Sequence, residues 1–179
     1  RPAYHDHNWG YFSHRNFTWE WGHASPRDDA NPYSVVFTRL LDGAHAQSFM
    51  QALLVWRDGR QHRVFREHEV EVYASGHFRP DSPRGFFTVP RSMSILAGGS
   101  ARTTDIPQRL SIHAQGYGDS VIASFEAIDT ARIVVPNGHD LGTTLIHEVL
   151  GRFEMQGRIR DELVDFTGHA VFEFLGRGP

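Results

Sequence analysis

Phe17-Thr18-Trp19-Glu20-Trp21-Gly22 places an aromatic side chain at every second position, with Thr18, Glu20 and Gly22 between them. Period-two alternation marks an extended strand, because successive side chains of a strand point to opposite faces. The next stretch repeats it: Tyr33, Val35 and Phe37 alternate with Ser34, Val36 and Thr38. Further strand-like runs cover 49–56, 64–73, 86–89, 110–114, 121–135 with a break, 145–155 and 163–175. Asp42-Gly43, Asp58-Gly59 and Asn137-Gly138 are hairpin-type turns between such runs. Residues 25–32, 76–84 and 97–107, rich in Pro, Gly and Asp, read as loops. No window carries a long apolar stripe at helical spacing with caps. The pattern predicts an all-β chain, an antiparallel barrel or sandwich with less than about a fifth of its residues in helix.

Composition narrows the chemistry. The chain has 179 residues, the size of one domain, with no internal repeat and no low-complexity tract. Its formal net charge of −3 disfavours nucleic-acid binding, which needs a concentrated basic face. Without cysteine there is no disulfide framework and no thiol nucleophile. This leaves the compartment open; a cytoplasmic location is the expectation. All 18 basic residues are arginine, so Schiff-base catalysis and a P-loop lysine are excluded. No run reaches the roughly 18 apolar residues of a membrane-spanning helix. Ser94, Ser111 and Ser124 lack a nucleophile-elbow setting, and Gly98-Gly99 reads as a turn.

The opening stretch Tyr4-His5-Asp6-His7-Asn8-Trp9-Gly10 is the most specific motif. On an extended chain His5, His7 and Trp9 share one face, and Asp6 and Asn8 the other. A hydrogen-bonded strand end with a packed Trp is one reading. A zinc pair is another, although spacing identifies no third ligand. Together with Trp19-Glu20-Trp21-Gly22, the strand from Tyr33 to Leu40 and the closing Gly168-His169-Ala170-Val171-Phe172-Glu173-Phe174-Leu175, the motif resembles the lipocalin-like family of carotenoid 1,2-hydratases (hydroxyneurosporene synthases). Its relatives include kievitone hydratase, AttH-like proteins and decalin-forming Diels–Alderases. The resemblance touches both ends of the chain, and its middle rests on strand pattern. It implies two tandem lipocalin-like barrels with this motif past the middle. Residues 1–179 are thus expected to form one lipocalin-like barrel, the second of two, with a first barrel or a second chain as partner.

The resemblance implies a cofactor-free and metal-free enzyme for an apolar polyene, isoprenoid or polyketide, working by hydration of a carbon–carbon double bond or by cyclisation. The alternative is a non-catalytic barrel that binds a hydrophobic small molecule or a partner barrel. Alkene hydration needs an acid, a surface that tolerates a cation, and a base; an indole face contributes about 0.5–2 kcal/mol to holding a cation. By resemblance His7 and Trp9 carry the chemistry, Tyr33 adds a phenol near the mouth of the pocket, and His5 stands at the rim. The hydratases are expected to place an acid on the strand after WEWG. Thr38 stands roughly there in this chain, so Asp6 is the substitute donor for hydration, while cyclisation needs no strong acid. Trp19, Trp21, Trp56 and Phe49 are candidates to line a cavity or simply the core. If Glu67, Glu69 and Glu71 form a solvated face, Arg66 and His68 turn inward as ligand-binding residues.

Overall fold

Alternation in sequence becomes alternation in burial. The computed structural model describes residues 17–28, 30–42, 47–79, 87–90, 106–136 and 143–177. Along β1 (Phe17–Pro26), Thr18, Glu20, Gly22 and Ala24 are buried, while Phe17, Trp19, Trp21 and His23 are partly exposed. The chain continues through β2 (Tyr33–Asp42), β3 (Ser48–Arg57), β4 (Arg60–Arg66), a 3₁₀ turn at Glu67–Glu69, β5 (Val70–Ser75) and β6 (Phe87–Val89). It ends with β7 (Arg109–Gly116), β8 (Asp119–Pro136), β9 (Thr143–Ile159) and β10 (Glu162–Arg177). The described residues contain no α-helix.

One sheet runs in the order β4-β3-β2-β1-β10-β9-β8-β7-β5, antiparallel throughout; β6 alone adds a parallel pairing, on β8. Among the described residues three hairpins close with two-residue turns, Asp58-Gly59, Tyr117-Gly118 and Arg160-Asp161, all with positive φ. That conformation matches the right-handed twist of the flanking strands. These turns mark one end of the molecule, the tight-turn end. At the other, the loop end, β2 leads to β3 and β8 to β9. The break expected in 121–135 is a register shift between Ala127 and Asp129.

The inward face is filled by phenylalanine. Phe172 stacks on Phe37 at 6.0 Å and lies 4.2 Å from Phe125, and Phe153 meets Phe166 at 5.5 Å. Gly22 leaves room for this: a Cβ there would sit 2.5 Å from the Phe172 ring. The glycine of the WEWG stretch is therefore a packing residue.

The sheet curls without closing by a ladder. Its two edge strands, β4 and β5, are consecutive in sequence and joined only by the 3₁₀ turn. Side chains bridge the seam. Arg63 on β4 donates from Nε to Asp119 at 2.9 Å, and from Nη2 to Glu69 at 2.7 Å and to the Gly116 carbonyl at 3.2 Å. Gln51 donates from Nε2 to the carbonyls of Glu67 (3.0 Å) and Val70 (2.6 Å), on either side of the turn. The result is a lipocalin-like, open antiparallel barrel.

The 3₁₀ turn corrects one expectation. Residues 64–73 are two strands, and Phe65 and Val70, an odd number of residues apart, are both buried. The turn, with Glu67 at φ 48°, exchanges the faces. Arg66 and His68 therefore face solvent, not the interior, and the side chain turned in against Arg63 is Glu69.

Candidate functional site

Ladder pairing assembles a polar belt that no local motif announces. Reading across β3, β2, β1, β10, β9 and β8, the partners in one row are Gln51, Arg39, Glu20, Phe174, His147 and Arg132. One row further toward the tight-turn end the first five of these strands present Leu53, Phe37, Gly22, Phe172 and Val149, and β8 presents Thr130, all buried. The belt thus lies on the loop-end side of a largely apolar floor.

Its charges are engaged. Oε2 of Glu20 accepts from Arg39 Nε at 2.9 Å and Nη2 at 2.7 Å, with both side chains largely buried. A charge can be buried when paired and hydrogen-bonded in this way. Arg132, 3% exposed, directs Nε at Nε2 of His147, 3.3 Å away. A guanidinium nitrogen can only donate, so the imidazole accepts at Nε2 and keeps its proton on Nδ1. Burial, then the Arg132 charge, push the His147 imidazole down to about 4, against a hydrogen bond with the Phe174 backbone that favours protonation. His147 is neutral at pH 7. Burial likewise lowers the Arg132 guanidinium. The belt can orient an oxygen-bearing group on an otherwise apolar molecule, but its histidine has no proton to give as an imidazolium at neutral pH.

The residues singled out from sequence fall elsewhere. His5, Asp6, His7 and Trp9 lie outside the described residues. Trp19 and Trp21 stand opposite the buried face of β1, and Trp56 opposite buried Val55 on β3, so all three are on the outer face and not around a cavity. Aromatic size suggested the inward side; Glu20 and Gly22 hold it, one paired to Arg39 and the other yielding to Phe172. Phe49 is 57% exposed. Tyr33 is buried, but at the tight-turn end: Arg57 lies over its ring at 5.9 Å, and burial, opposed by the Arg57 charge, raises its phenol. It does not join the belt. Thr38 is the ladder partner of Trp21 on one side, and Glu173 is its partner on the other. An open outer groove of about 520 Å³ contains His68, Glu71, His113 and Gln156, with Glu71 accepting from Tyr73 Oη at 2.6 Å.

Arg39, Arg132 and His147 were missed although a signal existed. Arg39 shares parity with Val35 and Phe37, and His147 shares it with Leu145 and Val149. A charged or titratable residue on the apolar parity of a strand is the cue. Among the described residues no three His, Asp or Glu side chains are grouped to hold a metal, and no helix is long and apolar enough to cross a membrane.

Fold and site define a lipocalin-like barrel with a buried polar belt over a largely apolar floor. No protein-family model and no curated protein matches the sequence. Among solved structures the chain is similar to CghA, determined with Sch210972, at 13% identity and a TM-score of 0.45. The match covers 90% of this chain and 41% of that one, so the chain spans less than half of that protein's length.

Proposed function

We propose that the chain binds an apolar polyene or polyketide at the loop end of its barrel and guides its cyclisation without a cofactor. The observation that carries this reading is the buried belt of Arg39, Glu20, His147 and Arg132 bordering a largely apolar floor. Such a border fixes the polar end of a long apolar molecule and leaves its chain to be folded by shape. Holding reacting carbons in one geometry is itself catalytic, because it removes the entropy cost of reaching that geometry. Hydration fits less well: Glu20 is engaged by Arg39 and His147 is neutral, so neither serves as the strong acid that alkene protonation needs. His7, Trp9, Asp6 and His5 remain part of the proposal through the sequence resemblance alone, as groups contributed to the same pocket.

The test is incubation of the chain with linear polyenes that carry a conjugated diene, a remote alkene and a carbonyl-bearing head group, followed by mass spectrometry and ultraviolet absorption. Cyclisation leaves the mass unchanged and shortens the conjugation, whereas hydration adds one water. Arg132→Met and His147→Phe should reduce conversion at least tenfold. Tight binding with no change in the polyene would overturn catalysis in favour of a binding barrel, and a product heavier by one water would return the chain to the hydratases.

A further inference from the structure

On the outer face, directly behind the belt, two carboxylates meet. Glu148 on β9 and Glu173 on β10 are ladder partners, and they share the outward side, both partly buried. Each adjoins a belt-row residue in the chain: His147 precedes Glu148, and Phe174 follows Glu173. Residues directly opposite on paired strands bring their side chains close enough to hydrogen-bond across the ladder. Two carboxylates can do this only with a proton between them, since an ionised carboxylate has lone pairs but no donor. The indole Nε1–H of Trp19 also donates to Oε1 of Glu173. Glu173 is thereby anchored to β1 through the indole.

We propose that Glu148 and Glu173 form a proton-operated latch on the β9–β10 ladder at the loop end. With one proton shared, the pair ties the two strands across their outer face. With the proton lost, like charges oppose each other at a directly paired position, which destabilises a ladder. The strands that loosen are those presenting His147 and Phe174 on the inner face. The setting keeps the proton in reach of physiological change. Burial first, then the charge and hydrogen bond of Glu173, push the Glu148 carboxyl up to about 7. The immediate neighbours on this face supply no counter-charge among the described residues; the next charged or titratable groups along the two strands, Arg152 and His169, stand four residues away. β8 offers Ala131 opposite Glu148 and, opposite Leu150, the like-charged Asp129; β1 offers Trp19 and Trp21, β9 itself offers Ile146 and Leu150, and β10 offers Val171. The nearest titratable group on the outward side of β1 is His23, paired with Val171, and burial lowers its imidazole. The cations Arg132 and Arg39 lie on the inner face. The latch stands independently of what the barrel binds.

The test uses the whole chain and needs no ligand. Amide hydrogen exchange, corrected for the intrinsic pH dependence of exchange, is measured at pH 6 and pH 8 for 145–149 and 171–175, with 110–114 as an internal control. Protection at the loop-end segments should fall about tenfold between the two pH values, while the control stays level. Glu148→Gln, which keeps a donor without a titrating proton, should hold protection constant. Carbon-13 labelling of the glutamate carboxyls in the wild-type chain should show one resonance titrating near neutrality, a readout that survives if the variant fails to fold. Equal protection at pH 6 and pH 8, the same pH-dependent loss in Glu148→Gln, or no glutamate titrating above pH 6 would each overturn the latch.

Discussion

At Glu20 and Arg39 the sequence offered a charge on each of two strands, and the fold made them one unit. A carboxylate 8% exposed is tolerable only because a guanidinium meets it through two nitrogens. Deleting either partner leaves the other buried and unpaired. Glu20→Leu or Arg39→Met alone should therefore cost roughly 2–4 kcal/mol, whereas the double variant should recover most of that loss, because apolar residues of similar volume replace a buried pair at little cost. Urea denaturation of the four chains measures the cycle. Additive losses, with a double variant as unstable as the two singles combined, would mean that the pair does not act as a unit. The residue scale also explains why Glu20 was overlooked: between two tryptophans it looks like the solvent-facing member of the alternation, and only its register with Arg39 and Phe174 reverses that reading.

At the scale of elements, the strands were legible and their closure was not. Period-two alternation located the strands of the barrel because each buries one side, so burial and sequence carry the same period. Asp58-Gly59 announced its hairpin, while Tyr117-Gly118 and Arg160-Asp161 put non-glycine residues at positive φ, a choice that turn chemistry tolerates but does not signal. The seam was invisible for another reason. Whether 64–73 is one strand or two depends on where a curled sheet runs out of partners, a property of the whole sheet rather than of that segment. The belt shares this dependence, since its members come from strands brought together only by register. Arg63 gives the seam a testable energy. Burial works against the charge of Glu69, yet the hydrogen bond and charge of Arg63 hold its carboxyl below the usual carboxylate range. Arg63→Met would strand Glu69 and Asp119 together, both largely buried, at a cost of roughly 3–5 kcal/mol. Arg63→Lys should fall between, as a point charge cannot serve two carboxylates and the Gly116 carbonyl in a fixed fork. A loss under about 1 kcal/mol for Arg63→Met, read from urea melts, would remove Arg63 as the closure of the barrel.

For the whole molecule, the two faces of β9 set opposite dependences of stability on pH. His147, on the inner face, is held at about 4 in the folded chain against an ordinary 6.5. Its contribution is complete above pH 6.5 and is lost as pH falls toward 4, because the unfolded chain takes up a proton that the folded chain refuses. Glu148, on the outer face, is held at about 7 against 4.5. The folded chain binds this proton more tightly than the unfolded chain, so the contribution is complete below pH 4.5 and is lost as pH rises toward 7. In the window they share, the two slopes oppose each other. The imidazole is the more deeply buried and should contribute roughly 2–3 kcal/mol across its window; the carboxyl, more open to solvent, roughly 1–2 kcal/mol after screening. The wild-type curve therefore conceals two titrations, and single variants expose them. Stability of the wild type minus that of His147→Gln should rise between pH 4 and 6.5, and the same difference for Glu148→Gln should fall between pH 4.5 and 7. Groups common to each pair of chains, such as His23, cancel in these differences. Urea melts at half-unit intervals from pH 4 to 8 supply both curves. Two flat differences, or two of the same sign, would show that neighbouring residues of β9 do not occupy opposite electrostatic environments, and the assignment of an inner belt and an outer acid pair would fail with them.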